Sequence, residues 1–128
     1  RMLGWSYVQL GRVKDGIDAL ARAITLDPKN AALRSQYGEA LVQDADGQVT
    51  PDALAAFDEA LKHDAKDPRA RFYKGLHLLQ SGHDRDAFDL WVALIREAPA
   101  DAEWLTGLRA QARELATKLN LDPKTAVP

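Results

Sequence analysis

The sequence predicts an all-α protein that is built from repeated helix pairs and closed by a terminal helix. Two observations carry this prediction. Alanine and leucine dominate the 128 residues, whereas the β-branched residues that favour strands are sparse. Single glycine and proline residues interrupt the apolar stretches, and these interruptions recur at similar intervals along the chain.

The interruptions recur with two spacings. Gly4, Gly38 and Gly75 lie 34 and then 37 residues apart, and three further sets of positions show the same two spacings in the reverse order. Those sets are Leu20, Phe57 and Trp91; Ala23, Ala60 and Leu94; and Pro28, Ala65 and Pro99. A period near 34 residues that holds two helices and a glycine turn is typical of the tetratricopeptide repeat (TPR). We therefore predict a TPR superhelix of three TPR-like helix pairs and a C-terminal capping helix.

The first two repeats are bounded by turn and cap residues. Repeat one covers residues 1 to about 30, with a turn at Gly11 and an end at Pro28, because proline cannot continue a helix. Repeat two covers residues 31–67 and opens after Asn30, an N-cap residue. Its inner turn, DADGQVTPD, holds three extra residues and places Pro51 at the start of the next helix.

Repeat three and the terminal helix complete the predicted domain, residues 1–119. Repeat three covers residues 68–101 between Asp67, an N-cap candidate, and Pro99. Asp101 is the N-cap candidate for the capping helix over residues 102–119. The end of a solenoid needs a helix with a polar outer face to remain soluble. Residues 120–128 are predicted to form a loosely ordered tail.

Small residues should let the helices of each pair approach closely. In each repeat the glycine of the first helix is predicted to face a small residue of the second helix, and a large apolar residue four positions later fills the space between repeats. The small residues are Gly16, Ala53 and Ala87, and the large ones are Leu20, Phe57 and Trp91.

Composition narrows the functional classes. Seventeen basic and nineteen acidic residues give a net charge of −2, which provides no field that would attract nucleic acid. No apolar run reaches the ~18 residues that span a bilayer, so we expect a soluble chain. The chain holds no cysteine, which excludes thiolate chemistry. It opens inside a helical pattern at Arg1, and we expect it to be a fragment of a longer protein.

The remaining polar residues do not form a pattern that indicates catalysis. His63, His77 and His83 lack the i, i+4 spacing of helical metal ligands, and we expect them to be exposed to solvent. The stretch Asp44–Gly47 lacks the flanking oxygen ligands of a calcium loop. The sequence shows no nucleotide-binding or nucleophile motif. We expect neither enzymatic activity, nor a bound metal or cofactor, nor a small-molecule substrate.

The three tryptophans receive different predictions. Trp91 occupies the position between repeats and should be buried in the core. Trp104 opens the terminal helix and should seal the end of the core. Trp5 follows Gly4 directly, so it should point away from the helix pair and towards a groove.

The first helices of successive repeats should line a concave groove that binds a peptide. The residues opposite the packing glycines follow the i, i+3, i+4, i+7 spacing of one helix face. They are Met2, Trp5, Val8 and Gln9 in repeat one; Gln36, Glu39 and Gln43 in repeat two; and Arg69, Phe72, Tyr73, Leu76 and Gln80 in repeat three. Aromatic and apolar anchors of this kind suit an amphipathic helix. A clamp for a C-terminal carboxylate is disfavoured, because Arg1 and Arg69 are the only cations on this face.

Two stretches carry a closer resemblance. One stretch is the segment DGQVTPDALAAFDEALKHDAKDPRARFYKGL. The other is the run from Trp91 to Arg109, which contains in order the elements W, AP, DA, W and LR. Through these stretches the chain is similar to the TPR domain of bacterial cytochrome c maturation assembly factors of the CcmI/CycH type. Their relatives in nitrite reductase maturation are also similar. The resemblance runs from about residue 2 to residue 113.

The resemblance implies a periplasmic chaperone that an absent segment tethers to the inner membrane. Such a protein holds the C-terminal helix of an apocytochrome c and works with the components of the haem-ligation complex. The haem is then the ligand of the client, and this domain needs no cofactor. Three alternatives stay open: a generic TPR scaffold that binds another amphipathic peptide, a homo-oligomer whose groove a neighbouring chain fills, and, least favoured, a haem lyase.

Overall fold

Seven α-helices make up the computed structural model, which describes residues 2–128, with side chains described from Arg12 onward. The helices are α1 (Met2–Leu26), α2 (Ala31–Asp44), α3 (Pro51–His63), α4 (Pro68–Gln80), α5 (Asp84–Glu97), α6 (Leu105–Lys118) and α7 (Pro123–Ala126). No strand occurs within residues 2–128. The all-α, TPR-like fold class predicted from the sequence is confirmed. None of the described helices is both long enough and apolar enough to cross a membrane.

The starts of α2, α3 and α4 follow from their cap residues. The side-chain oxygens of Asn30, Thr50 and Asp67 accept hydrogen bonds from the backbone N–H groups three residues later, at 3.1, 3.2 and 2.9 Å. Each cap satisfies a donor that the first helical turn leaves without a partner. Pro51 and Pro68 occupy the first helical positions. These predictions are confirmed.

The predicted cap at Asp101 is wrong. Backbone hydrogen bonds from Ala102 N to Pro99 O and from Leu105 N to Ala102 O form successive turns, so α6 begins only at Leu105. Trp104 takes the N-cap position without a side-chain cap. Trp104 is 37% exposed, so the prediction that it seals the end of the core is wrong.

The core of repeats two and three depends on a glycine beneath an aromatic ring. A Cβ at Gly38 would lie 2.6 Å from Cε1 of Phe57, and a Cβ at Gly75 would lie 2.6 Å from Cδ1 of Trp91. Both rings are fully buried, with exposures of 0% and 1%. The absence of a side chain on each glycine therefore lets the ring of the second helix reach the backbone of the first. The burial predicted for Trp91 is confirmed.

The wide turn between α2 and α3 covers residues 45–50, as the extra residues predicted. Asp46 and Gly47 have φ angles of 55° and 91°, and Gly47 N–H donates to Val42 O at 2.9 Å. Glycine adopts such an angle without steric cost. Val49 is buried, so the turn is anchored to the core.

The chain divides into two compact units, Arg1–Tyr73 and Lys74–Pro128, and the division falls within α4. In the first unit α1 packs against α2, and α2 packs against α3. In the second unit α5 packs against α6, and α6 packs against α7. The buried residues of α6 lie on one face, which packs inside the second unit, and its remaining face is polar.

The two ends of the chain differ from the sequence prediction. The helix α1 runs as one helix over Met2–Leu26, whereas the sequence predicts two helices joined at Gly11. A glycine costs a helix interior only about 1 kcal/mol, which leaves a continuous helix accessible. At the other end, residues 123–126 form α7, with Asp122 as its cap, and Val127 is 3% exposed. The predicted loosely ordered tail is therefore packed against the domain.

Replacement of Gly38 by alanine tests the close approach. The new Cβ would meet the buried ring of Phe57, and we expect the free energy of unfolding to fall by about 1 to 3 kcal/mol. Gly107→Ala is the matched control: Gly107 lies in α6, and no described atom lies within 4 Å of a Cβ built there. That change should raise the free energy of unfolding by about 0.5 to 1 kcal/mol. Urea denaturation measures both, and equal effects in the two variants would contradict the packing account.

Candidate peptide-binding groove

A groove of about 500 Å³ lies in the first unit, between the second half of α1, one face of α2 and the start of α4. Its apolar lining comes mainly from α1, and its polar lining comes mainly from α2 and α4. The lining residues are Arg12, Val13, Gly16, Leu20, Gln36, Glu39, Ala40, Gln43 and Arg69. A groove with one apolar and one polar side suits a ligand that is itself amphipathic.

The Glu39 carboxylate is held by two side chains of α4. Tyr73 Oη donates a hydrogen bond to Glu39 Oε2 at 3.0 Å, and Arg69 Nε lies 3.6 Å from Glu39 Oε1. Arg69 Nη1 also donates to Ser35 Oγ at 3.3 Å. Arg69 and Glu39 are each 35% exposed, so their charges offset one another within reach of solvent. This network fixes the polar side of the groove.

Aromatic stacking fixes the position of Tyr73. Its ring stacks on Phe57 with a centroid distance of 4.9 Å and an interplanar angle of 7°, and the ring of Phe72 meets it edge-on at 5.1 Å. Offset stacking and edge-to-face contact are the favoured geometries for aromatic pairs. The ring of Phe57 in α3 therefore contacts Gly38 of α2 and Tyr73 of α4. Phe57 thus fills the space between repeats two and three, as the sequence predicts.

The surroundings of Tyr73 keep its phenol protonated. Burial, together with the negative charge of Glu39 and the hydrogen bond to it, raises the pKa of Tyr73 to about 12, and the positive charge of Arg69 acts in the opposite direction. The phenol consequently remains a hydrogen-bond donor to Glu39 throughout the neutral range.

The structure brings together part of the predicted site. Gln36, Glu39, Gln43 and Arg69 line the groove, with Gln36 and Gln43 exposed. Phe72 and Tyr73 are both half-buried, and Tyr73 joins the site through Glu39. Two further predicted residues lie in the second unit, half-buried Leu76 and exposed Gln80. The remaining four, Met2, Trp5, Val8 and Gln9, lie outside the residues whose side chains the structure describes.

Five groove residues were missed from the sequence, namely Arg12, Val13, Gly16 and Leu20 of α1 and Ala40 of α2. The repeat pattern places the residues after Gly11 in the second helix of repeat one, where they are predicted to pack inside that repeat. The spacing of Arg12, Gly16 and Leu20 is i, i+4, i+8, which places them along one helix face. That spacing was the available signal.

The histidines do not form a second site. His63 and His83 are exposed, as predicted, and His77 is half-buried. Among the described side chains, no three histidine or carboxylate groups lie close enough together to hold a metal ion.

A second hollow, of about 630 Å³, lies in the second unit along α6 and α7. It is larger, but its charged side chains are exposed, and none of them belongs to a hydrogen-bonded network like that of Glu39. Its lining residues are Ala110, Arg113, Glu114, Thr117, Pro123 and Lys124. The groove of the first unit is therefore the better candidate for a specific ligand.

Helix pairs that pack through small residues and leave a lined groove define this chain as a TPR-type helical-repeat domain. Residues 1–104 match the family model described as the cytochrome c-type biogenesis protein H TPR domain. The chain belongs to that family, which is the family that the sequence resemblance indicated.

Two relatives carry the same description. The chain is 38% identical over 106 residues to a cytochrome c-type biogenesis protein of Bradyrhizobium diazoefficiens, and 39% identical over 118 residues to one of Rhizobium meliloti. These matches cover 79% and 88% of this chain but only 29% and 31% of the relatives. The chain thus spans less than a third of the length of these relatives.

A solved structure is similar in fold. The type III secretion translocator chaperone SycD of Yersinia enterocolitica superposes with a TM-score of 0.67, over 94% of this chain and 83% of the other. The sequence identity is 20%, so this likeness supports the TPR-like fold alone.

The hydrogen bond between Tyr73 and Glu39 can be tested by titration. An ultraviolet absorbance titration should show a tyrosine ionisation near pH 12, and Tyr73→Phe should remove that phase. Glu39→Gln should shift it towards the ordinary value of 10.0, because the carboxylate charge is lost.

The same pKa shift predicts a dependence of stability on pH. Since the folded state holds the proton of Tyr73 more tightly than the unfolded state, stability should fall as the pH rises from about 10 to about 12. The fall should be smaller in Tyr73→Phe, as measured by urea denaturation. An identical fall in both proteins would contradict the assignment.

Proposed function

We propose that this domain is a peptide-binding module of cytochrome c maturation, which holds the C-terminal helix of an apocytochrome c for delivery to the components of the haem-ligation complex. Membership of the cytochrome c-type biogenesis family supports a role in cytochrome c maturation. The groove of the first unit supports the mode of binding. The domain acts by association and contributes no catalytic group.

The observation that carries the proposal is the two-sided lining of the groove. Val13, Leu20 and Ala40 offer apolar contact, and the exposed amides of Gln36 and Gln43 offer donors and acceptors. An amphipathic helix can bury its apolar stripe on the first set, which is the main source of affinity, while polar side chains at its edge bond to the glutamines. The glutamines then select the orientation of the helix.

The charge arrangement favours a helix face over a free chain terminus. The guanidinium of Arg69 already lies against Glu39 and Ser35. A terminal carboxylate at Arg69 would therefore meet the negative charge of Glu39 at close range. Arg12 is the other cation of the lining, and it is exposed at the edge of the groove.

The proposed compartment is the periplasm, with a tether to the inner membrane outside this chain. The support is the family itself, through the resemblance to membrane-anchored assembly factors. A reporter that is active only after export, fused to the full-length protein at a site within this domain, would show activity. A reporter active only in the cytoplasm would show activity instead if the compartment were wrong.

Calorimetric titration of the 128-residue chain with a peptide of the C-terminal helix of a c-type cytochrome tests the proposal. Binding should show a negative heat-capacity change, because apolar surface is buried. The double variant Gln36→Ala, Gln43→Ala should weaken binding about tenfold, or about 1.4 kcal/mol, since two hydrogen-bonding amides are lost.

The matched control is Gln48→Ala, Gln111→Ala, which removes two exposed glutamine amides away from the groove. It should bind the peptide like the parent. Equal weakening in both double variants would remove the groove from the proposal. Absence of peptide binding, with binding of an unrelated amphipathic helix, would leave a generic scaffold in place of the cytochrome chaperone.

A further inference from the structure

A row of five exposed residues runs across the outer face of α6, within the second unit. Its members are spaced by three positions and begin in the turns that precede the helix. They are Asp101, Trp104, Gly107, Ala110 and Arg113. Residues three apart on a helix follow one another along a single ridge of its surface. We call these five residues the outer row.

Gly107 is the point of the outer row at which another backbone can approach. The glycines Gly38 and Gly75 have the rings of Phe57 and Trp91 against them, whereas no described atom lies within 4 Å of a Cβ built at Gly107. The φ angle of Gly107 is not positive, so its conformation does not require glycine. A glycine weakens a helix, and Gly107 brings no packing within the described chain in return. Its lack of a side chain therefore indicates a contact with another molecule.

Trp104 provides an aromatic side chain for such a contact. It is 37% exposed, which is unusual for so large an apolar residue. The second hollow, of about 630 Å³, lies further along the same helix, and Ala110 and Arg113 line it. A hollow next to a small residue has room for an indole ring. The outer row thus offers both an exposed ring and a place that can receive one.

The two ends of the outer row carry opposite charges. Asp101 is negative and Arg113 is positive, and no side-chain hydrogen bond or ion pair joins either of them to another described residue. The row therefore reads acidic, aromatic, glycine, small and basic. Placed against itself in the opposite direction, it brings acid to base, ring to small residue and glycine to glycine. Self-complementarity of this kind is what a two-fold symmetric interface requires.

We infer that a second copy of this chain docks on the outer row, with a two-fold axis at Gly107. Trp104 of each copy packs against Ala110 of the other copy, inside the second hollow. Asp101 of each copy pairs with Arg113 of the other copy. A row of spacing three is inclined by about 45° to the helix axis, so the two α6 helices cross steeply and approach most closely at the two glycines.

The dimer is weak and reversible. One helix ridge from each copy buries less surface than a permanent dimer does, and small interfaces of this kind are transient. We expect a dissociation constant between about 10 µM and about 1 mM. At about 1 µM the protein is then a single chain, and urea denaturation of Gly107→Ala at that concentration reports on the helix alone. No residue of the outer row lines the groove of the first unit, so the inference does not rest on the proposed function.

Sedimentation equilibrium of the 128-residue chain over a concentration series tests the dimer. The mass should rise from that of one chain towards that of two. Arg113→Asp brings two carboxylates together at each end of the interface, and it should weaken association at least about tenfold. The matched control is Lys29→Asp, which changes the net charge by the same amount at an exposed position outside the outer row. It should associate like the parent.

A mixture of two variants tests the pairing of the charges. Asp101→Arg alone should associate as weakly as Arg113→Asp, because two guanidinium groups then meet. In a one-to-one mixture of the two variants, each carboxylate meets a guanidinium at both ends of the interface. A heterodimer with about the affinity of the parent should therefore form.

Gly107→Leu tests the crossing point. The new side chain starts from a Cβ that meets no described atom, so the single chain should remain folded, as circular dichroism would show. In the dimer the two leucines would separate the backbones, and association should weaken at least about tenfold.

Four results would overturn the inference. The first is the mass of a single chain in the parent at about 1 mM. The second is equal weakening in Arg113→Asp and Lys29→Asp, which would show an effect of net charge alone. The third is a mixture that associates no better than its components, and the fourth is full association of Gly107→Leu. None of these results bears on peptide binding at Gln36 and Gln43, so the proposed function is tested separately.

Discussion

The packing of a bare glycine backbone against an aromatic ring is the constraint on which repeats two and three depend. Phe57 and Trp91 are buried only because Gly38 and Gly75 leave room for them. A side chain at either glycine would separate the two helices of that pair. In repeat two, the position of α2 relative to α3 determines where Glu39 stands. The position of Glu39 in the groove thus depends on the lack of a side chain at Gly38.

The polar network connects this core to the surface. Phe57 stacks on Tyr73, and Tyr73 donates to Glu39. Ser35 and Glu39 meet α4 residues 34 positions later, at Arg69 and Tyr73. Equivalent positions of repeats two and three, such as Gly38 and Gly75, lie 37 residues apart. Arg69 and Tyr73 therefore lie three residues, or about one helical turn, before the positions in α4 that are equivalent to Ser35 and Glu39. This offset between α2 and α4 places the Glu39 carboxylate between the Arg69 guanidinium and the Tyr73 phenol. The negative charge of Glu39 then disfavours a ligand that binds through its terminal carboxylate.

The sequence predicts the features that local chemistry determines. Caps at Asn30, Thr50 and Asp67 each need one side chain and a nearby N–H group, and all three are found. The helix start at Asp101 failed because two successive backbone turns compete with the cap. The contribution of α1 to the groove was missed because it depends on how α1 lies against α2, which no local pattern specifies. The partners of Glu39 depend likewise on the offset between α2 and α4.

The proposed function requires that the groove hold the terminal helix of an unfolded client. In a folded holocytochrome the apolar stripe of that helix packs against its own core, so its release requires local unfolding whose cost is subtracted from binding. The most direct measurement is therefore a titration of this domain with the apo and holo forms of one c-type cytochrome at equal ionic strength. The account predicts at least about a hundredfold preference for the apo form, which corresponds to about 2.7 kcal/mol. Equal affinities would place the contact on the folded surface of the client and would contradict the account.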